Sequence, residues 1–195
     1  MTFPVITSAL DLLGRTTAGV PADRFDDPTP CSAWTVAQVL LHAAGDQHAW
    51  ASFVGSGTLS TYDPFDPPRQ HDQGIDEVVK DAIESATAAW AEVDPAADSV
   101  STPLPPVPTL APALAAAACA LDAAVHAWDV AVATGQPSPL SPELAEALMP
   151  AAQATAEPLR GFAYASALPA QPGDDAVAAL LRYLGRDPAW TPGGR

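Results

Sequence analysis

The sequence predicts an all-α protein, an up-and-down four-helix bundle with a short additional helical segment at its C-terminus. Three observations point there. Apolar residues recur at helical spacing along four long stretches. The 22 prolines gather at 64–68, 103–112, 137–142 and 169–172, where they punctuate those stretches. No run alternates convincingly as a strand; "FAYASALPAQ" is too short and isolated, and no solenoid-period repeat occurs. At 195 residues, 48% of them hydrophobic, the chain can enclose one sizeable core. Residues 1–136 are expected to form the bundle, and 137–195 a helical extension packed on the same domain.

The first helix is expected over 4–17, with Ile6, Leu10 and Leu13 on one stripe. A polar, proline-bearing segment follows. Thr35-x-x-Gln38 then has the form of a capping box, and the apolar pattern continues to Val54, where "GSG" stops it. Residues 56–73 read as loop. The third helix is expected over 75–93, carried by Ile75, Val78, Val79, Ala82, Ile83, Ala86 and Trp90. "DPAADSVSTPLPPVPT" reads as a second long connection. The fourth helix is expected over 110–134, with Gly135 suited to the left-handed residue after it. In the tail, Ser141-Pro142 opens a helix that Pro150 and Pro158 should kink or break. Asp174 or Asp175 opens a last one, ending at Gly185.

The formal charge of −15 argues against nucleic acid, whose phosphates demand a basic face, and against anionic membrane surfaces. No uncharged apolar run reaches the roughly 20 residues of a membrane span; the nearest candidate soon meets Asp122. The N-terminus lacks the basic start and cleavage site of a signal peptide. Two cysteines, Cys31 and Cys119, make no disulfide framework. A cytoplasmic chain, monomeric or homodimeric, is the expectation.

Polar side chains inside the apolar pattern point to chemistry. Within "LDAAVHAWDVAVATG", Asp122 and His126 stand one turn apart on one helical face. A carboxylate and an imidazole on adjacent turns fix much of a zinc coordination sphere, and His42 on the second helix is the best third ligand. Two histidines and one carboxylate leave a position for water or substrate. Each residue also has a structural reading: a hydrogen-bonded core histidine, or an ordinary i,i+4 contact. Two polar intrusions into one bundle core are costly without a shared partner, which favours a common ion.

Three segments extend this. "PTPCSAWTVAQVLLHAAG", "DAAVHAWDVAVATGQP" and "LLRYLGRDPAW" resemble the successive motifs of the metal-binding DinB-like superfamily. The branch they resemble is the one related to the N-terminal domain of mycothiol-dependent maleylpyruvate isomerase. The resemblance covers nearly the whole chain. It implies a four-helix bundle holding a divalent metal, typically zinc, with His42, Asp122 and His126 as ligands and mycothiol as a co-substrate. The chain departs from the isomerase in having Asp122 where that enzyme has Glu, and in showing no clear second domain.

Around this set, Asp46, one turn after His42, could act as a base or further ligand. Asp129 could orient a ligand histidine or pair with an arginine. Cys119 reads as a small buried hydrophobe and Cys31 as loop packing. His48 should face elsewhere and His71 should be exposed. The tryptophans read as packing, although one could line a cavity. Arg69 or Arg160 could grip a substrate carboxylate. The leading expectation is a thiol-dependent transferase or isomerase acting on a small electrophile through a metal-activated thiolate or water. The alternatives are a non-catalytic metal- or ligand-binding bundle, and a tailoring or cyclising enzyme that uses no thiol.

Overall fold

A computed structural model describes residues 3–193. Four helices form the bundle: α1 (Pro4–Ala18), α2 (Val36–Val54), α3 (Ile75–Ala91) and α4 (Pro112–Thr134). Around the ring, α1 packs on α4 and α3, and α2 packs on the same two. The start of α2 follows from its sequence. Thr35 accepts from the Gln38 amide, and the Gln38 side chain returns to the Thr35 amide, so two orphan donors of the first turn are satisfied. Gly135 closes α4 at φ 75°, a left-handed conformation that costs glycine least.

The most apolar helix is α4, and it is buried nearly all round, including Ala115, Ala120, Leu121, Ala124 and Val130. By length and composition it could cross a membrane, yet it lies inside the bundle, where a helix hydrophobic on every side belongs. Trp50 and Trp90, both fully buried, pack against each other with ring centroids 5.9 Å apart.

Two expectations need correction. The connection after α3 is not irregular throughout: β1 (Val100–Leu104) and β2 (Val107–Leu110) pair as an antiparallel hairpin against α2. Its prolines mask the β-branched Val100, Thr102, Val107 and Thr109, which carry the strand preference. The Thr102 hydroxyl donates to the Val107 carbonyl and holds the hairpin where its register shifts.

The second correction concerns the tail. α5 (Pro142–Leu159) runs through Pro150 and Pro158 without ending at the first. Each proline removes one backbone donor, but Leu148, Ala151, Ala152 and Ala156 are buried, and tertiary packing outweighs the local cost. The last helix, α6 (Ala176–Tyr183), is capped by Asp175; α5 packs on α4, and α6 packs on α5.

Candidate metal centre

His42 stands two turns into α2, facing Asp122 and His126 on α4. The His42 Nε2 is 3.6 Å from Asp122 Oδ1, and the His126 Nε2 is 3.3 Å from the same oxygen. The two imidazoles meet edge to face, with centroids 4.8 Å apart. These separations discriminate between readings. A hydrogen bond to a carboxylate runs at about 2.7–3.2 Å, so 3.6 Å is too long to be one. Donors bonded at about 2.1 Å to one tetrahedral ion stand about 3.4 Å apart, a separation that lies between the two distances. Asp122 Oδ2 is buried with no hydrogen-bond partner, an orphan that a cation would satisfy. The donor set therefore fits a divalent ion.

The other nitrogen of each ring is held from behind. His42 Nδ1 donates to the Pro64 carbonyl at 2.7 Å. That carbonyl is brought close by the segment after α2, which is tied down by Gln38 Nε2 to the Pro67 carbonyl and by the Tyr62 hydroxyl to the Leu41 carbonyl. Gly45 permits the approach: a Cβ there would lie 2.7 Å from the Pro64 Cβ. His126 Nδ1 lies 3.0 Å from Asp129 Oδ2 and donates to it. Both rings thus turn Nε2 toward Asp122.

Asp129 is fully buried and carries more than this one bond. Arg186 grips it through Nε to Oδ1 at 3.0 Å and Nη2 to Oδ2 at 2.9 Å, while the Cys31 thiol donates to Oδ2 at 3.2 Å. Both sequence readings of Asp129 are therefore realised: it orients a histidine and pairs with an arginine. Cys31, His126 and Asp129 make a second group of converging donors. There the Arg186 guanidinium, 3.3 Å from the Cys31 sulfur, already supplies the positive charge.

Electrostatics follow from this packing. Burial would raise the Asp122 carboxyl, but the charge of His126 and the two imidazoles facing it hold it below the usual carboxylate range. Burial would likewise pull His126 down, yet Asp122 and Asp129 raise it well above its ordinary value. For Asp129, burial is outweighed by Arg186 and His126, which hold it at about 2. Asp46 goes the other way: burial, then the charge of Asp122, lifts it well above an ordinary aspartate.

The centre forms one wall of a cavity of about 240 Å³. Asp46 and Trp50 from α2, Trp34 and Cys31 before it, Phe65 after it, and the hairpin's Leu104 all reach this cavity. The far side comes from Leu159, Phe162 and Tyr164 at the end of α5 and just beyond it. The Trp34 ring lies 4.6 Å from that of His42. Burial, with the charge of Asp122 next, raises the Tyr164 phenol to about 12, so it keeps its proton near neutrality.

Other sequence candidates lie elsewhere. Cys119 is buried and bonded to Gln47. His48 pairs with Asp81 away from the centre, and His71 is half-buried against Tyr62 rather than exposed. Arg69 is exposed and off the cavity wall. Arg160 joins α5 to α6 through Glu157, the Tyr183 ring and two carbonyls. The arginine that matters is Arg186. It sits inside "LGRDP", a stretch whose resemblance was visible but whose arginine had no assigned partner. Tyr164 and the aromatic pair Phe65–Phe162 gave no signal in the sequence, because each lies in an irregular segment.

The family described as the mycothiol maleylpyruvate isomerase N-terminal domain matches residues 6–131. An uncharacterised protein of Mycobacterium tuberculosis, found in strains CDC 1551 / Oshkosh and ATCC 25618 / H37Rv, is 32% identical over 179 residues, covering 89% of this chain and 92% of the relative. No solved structure matches. On the breadth of the family match and of the mycobacterial relative, the chain belongs to the mycothiol maleylpyruvate isomerase N-terminal domain family and has its DinB-like helical architecture.

Proposed function

We propose that this protein is a divalent-metal enzyme in which His42, Asp122 and His126 hold the ion, most simply zinc. A thiol, with mycothiol the natural candidate from the family, is proposed as the co-substrate for S-transfer to, or isomerisation of, a small electrophile. The observation that carries this reading is the convergence of three donors on a cavity wall, with one carboxylate oxygen buried and unpartnered. A cation bound there would lower the pKa of a coordinated thiol or water and so supply a nucleophile near neutral pH.

The chain's own groups do the rest. The Pro64 carbonyl and Asp129 each accept a hydrogen bond from an Nδ1–H and so leave both Nε2 atoms for coordination. Arg186 holds Asp129 ionised, which fixes the His126 tautomer. Asp46, one turn along α2 on the same wall, is the carboxyl placed to take the proton that a thiol gives up. Aromatic walls exclude water from a nucleophile that water would otherwise consume the substrate of. A cytoplasmic setting, where low-molecular-weight thiols stay reduced, suits this chemistry.

Metal analysis of the purified protein tests the reading, followed by calorimetric titration with mycothiol before and after chelation. About one divalent ion per chain and thiol binding that chelation removes are expected. His126→Ala should lose the ion while keeping its helical circular dichroism. Stoichiometric metal retained by that variant, or thiol binding indifferent to chelation, refutes the assignment. A large loss of stability on chelation with no thiol binding would instead favour a metal-supported, non-catalytic bundle.

A further inference from the structure

We infer that the Tyr164 hydroxyl is the ligand-binding donor of the candidate centre, hydrogen-bonding a carbonyl oxygen of the electrophile while the thiol sulfur faces His42, Asp122 and His126. The inference rests on the metal-and-thiol reading above. It adds the group that meets the charge which that reaction develops.

The turn after α5 fixes where Tyr164 sits. The Gly161 amide donates to the Tyr164 carbonyl at 2.8 Å, the Tyr164 amide donates to the Leu159 carbonyl at 3.2 Å, and Arg160 Nη1 reaches the Ala165 carbonyl at 2.8 Å. The side chain held by this turn lines the cavity. Its hydroxyl lies within electrostatic reach of Asp122, Arg186, Asp46 and His126, all on the same wall, which places it on the hollow side of the ring. Yet the hydroxyl has no hydrogen-bond partner among the described residues. Arg186, Cys31 and Thr155, on the same wall, are committed by contrast: the first two donate to Asp129 and the third to the Ala151 carbonyl. The Tyr164 ring packs against the core, and a phenylalanine ring would do that as well. A hydroxyl withdrawn from water costs free energy that an acceptor must offset, and a bound ligand supplies one.

Thiol addition has a use for such a donor. When a thiolate attacks the β-carbon of a conjugated carbonyl compound, a carbon–sulfur bond forms. The carbon–carbon π pair shifts, and negative charge settles on the carbonyl oxygen. A hydroxyl bonded to that oxygen binds it more strongly as the charge grows, since a charge-assisted bond is roughly twice as strong as a neutral one. Rotation about the former double bond and expulsion of the thiolate then give the isomer, with no proton, electron or further reagent consumed. In S-transfer the thiol's own proton ends on the α-carbon. The apolar neighbours Trp34, Leu104 and Leu159 limit the water that would compete for the donor.

The test uses para-dimethylaminobenzylideneacetone, a conjugated ketone whose visible absorption moves to the red when its oxygen accepts a hydrogen bond. Its control is the analogue with a methylene group in place of that oxygen. Each is titrated into chelator-treated and zinc-loaded samples of the parent and of Tyr164→Phe, which removes the hydroxyl and keeps the ring. The chelated parent should shift the ketone to the red and the chelated variant should not. Ketone affinity should fall by about three- to tenfold in the variant, the effect of one hydrogen bond. The methylene analogue, read by quenching of tryptophan fluorescence, should bind both proteins equally. A red shift that survives in Tyr164→Phe, an equal loss of affinity for both probes, or no ketone binding at millimolar concentration overturns the inference. The chelated samples judge the hydrogen bond alone, so failure to take up a divalent ion sinks the metal reading separately.

Discussion

Arg186→Met isolates the contact that joins the C-terminal segment to the proposed centre. The change keeps the aliphatic bulk of the side chain and removes the guanidinium. Asp129, fully buried, then keeps only His126 Nδ1 and the Cys31 thiol as partners. An Asp129 held at about 2, against 3.8 for a free aspartate, represents about 2 to 3 kcal/mol of stability at neutral pH. The pKa is depressed in the folded state. The contribution is therefore full above about pH 4 and is lost as pH falls through about 2. Removing the arginine does more than cancel it. Burial then acts unopposed, so the carboxyl rises above its ordinary value and the ionised form becomes a penalty. Breaking one side of a buried pair typically costs about 3–5 kcal/mol, and the remaining His126 bond places this case near the lower end.

The assay is urea unfolding of chelator-treated parent and variant at pH 7 and pH 5, which removes any contribution of bound metal. A loss of about 3 kcal/mol is expected at pH 7, shrinking at pH 5 as Asp129 takes up a proton in the variant. Metal affinity should also fall by about 10- to 100-fold, because His126 loses its fixed orientation. A variant within about 0.5 kcal/mol of the parent at both pH values would refute the account, since a surface substitution does no more than that.

Gly45→Ala should lower metal affinity, measured by competition with a chromophoric chelator, because the new Cβ would press on Pro64 and lengthen the His42 Nδ1 bond. Alanine favours helix by about 1 kcal/mol, so an unchanged affinity with a raised Tm would show that the loop yields freely. Burial pushes the Cys119 thiol up, so it should resist iodoacetamide at pH 8 until the protein is unfolded, as mass spectrometry of native and urea-treated samples would report. Thr35→Ala removes the hydroxyl half of the capping box at the start of α2 and should cost about 1 kcal/mol in urea unfolding, with metal binding little changed.

The helices were legible because burial imposes period 3.6 on them and because their ends carry local chemistry. Thr35 and Gln38 announce α2, Gly135 closes α4, and Asp175 caps α6, each within a few residues of the feature it governs. The pair Asp122 and His126 was legible for the same reason, since one turn of helix fixes their spacing. His42 needed a second step, because its relation to α4 depends on how two helices pack. The hairpin was not legible: in Val100–Leu104 and Val107–Leu110, prolines interrupt the alternation by which a strand is read. Nor was the fit of Pro150 into α5, where the decisive term is burial against α4 and not local propensity.

What stayed hidden is the set of contacts that sequence distance conceals. Arg186 meets Asp129 across 57 positions, and Pro64 meets His42 across 22. Neither partner has a periodicity to betray it, and one is a backbone carbonyl whose identity carries no chemical label. Yet these contacts decide which nitrogen of each histidine is free. The helical spacing brings three donors near one point. The loop after α2 and the turn after α6 aim two of them, the imidazoles, at that point, and the bundle helices alone would leave either ring free to rotate. The C-terminal segment is in this sense part of the proposed centre, and its Leu184-Gly185-Arg186 turn should affect metal affinity although none of its residues is a proposed ligand.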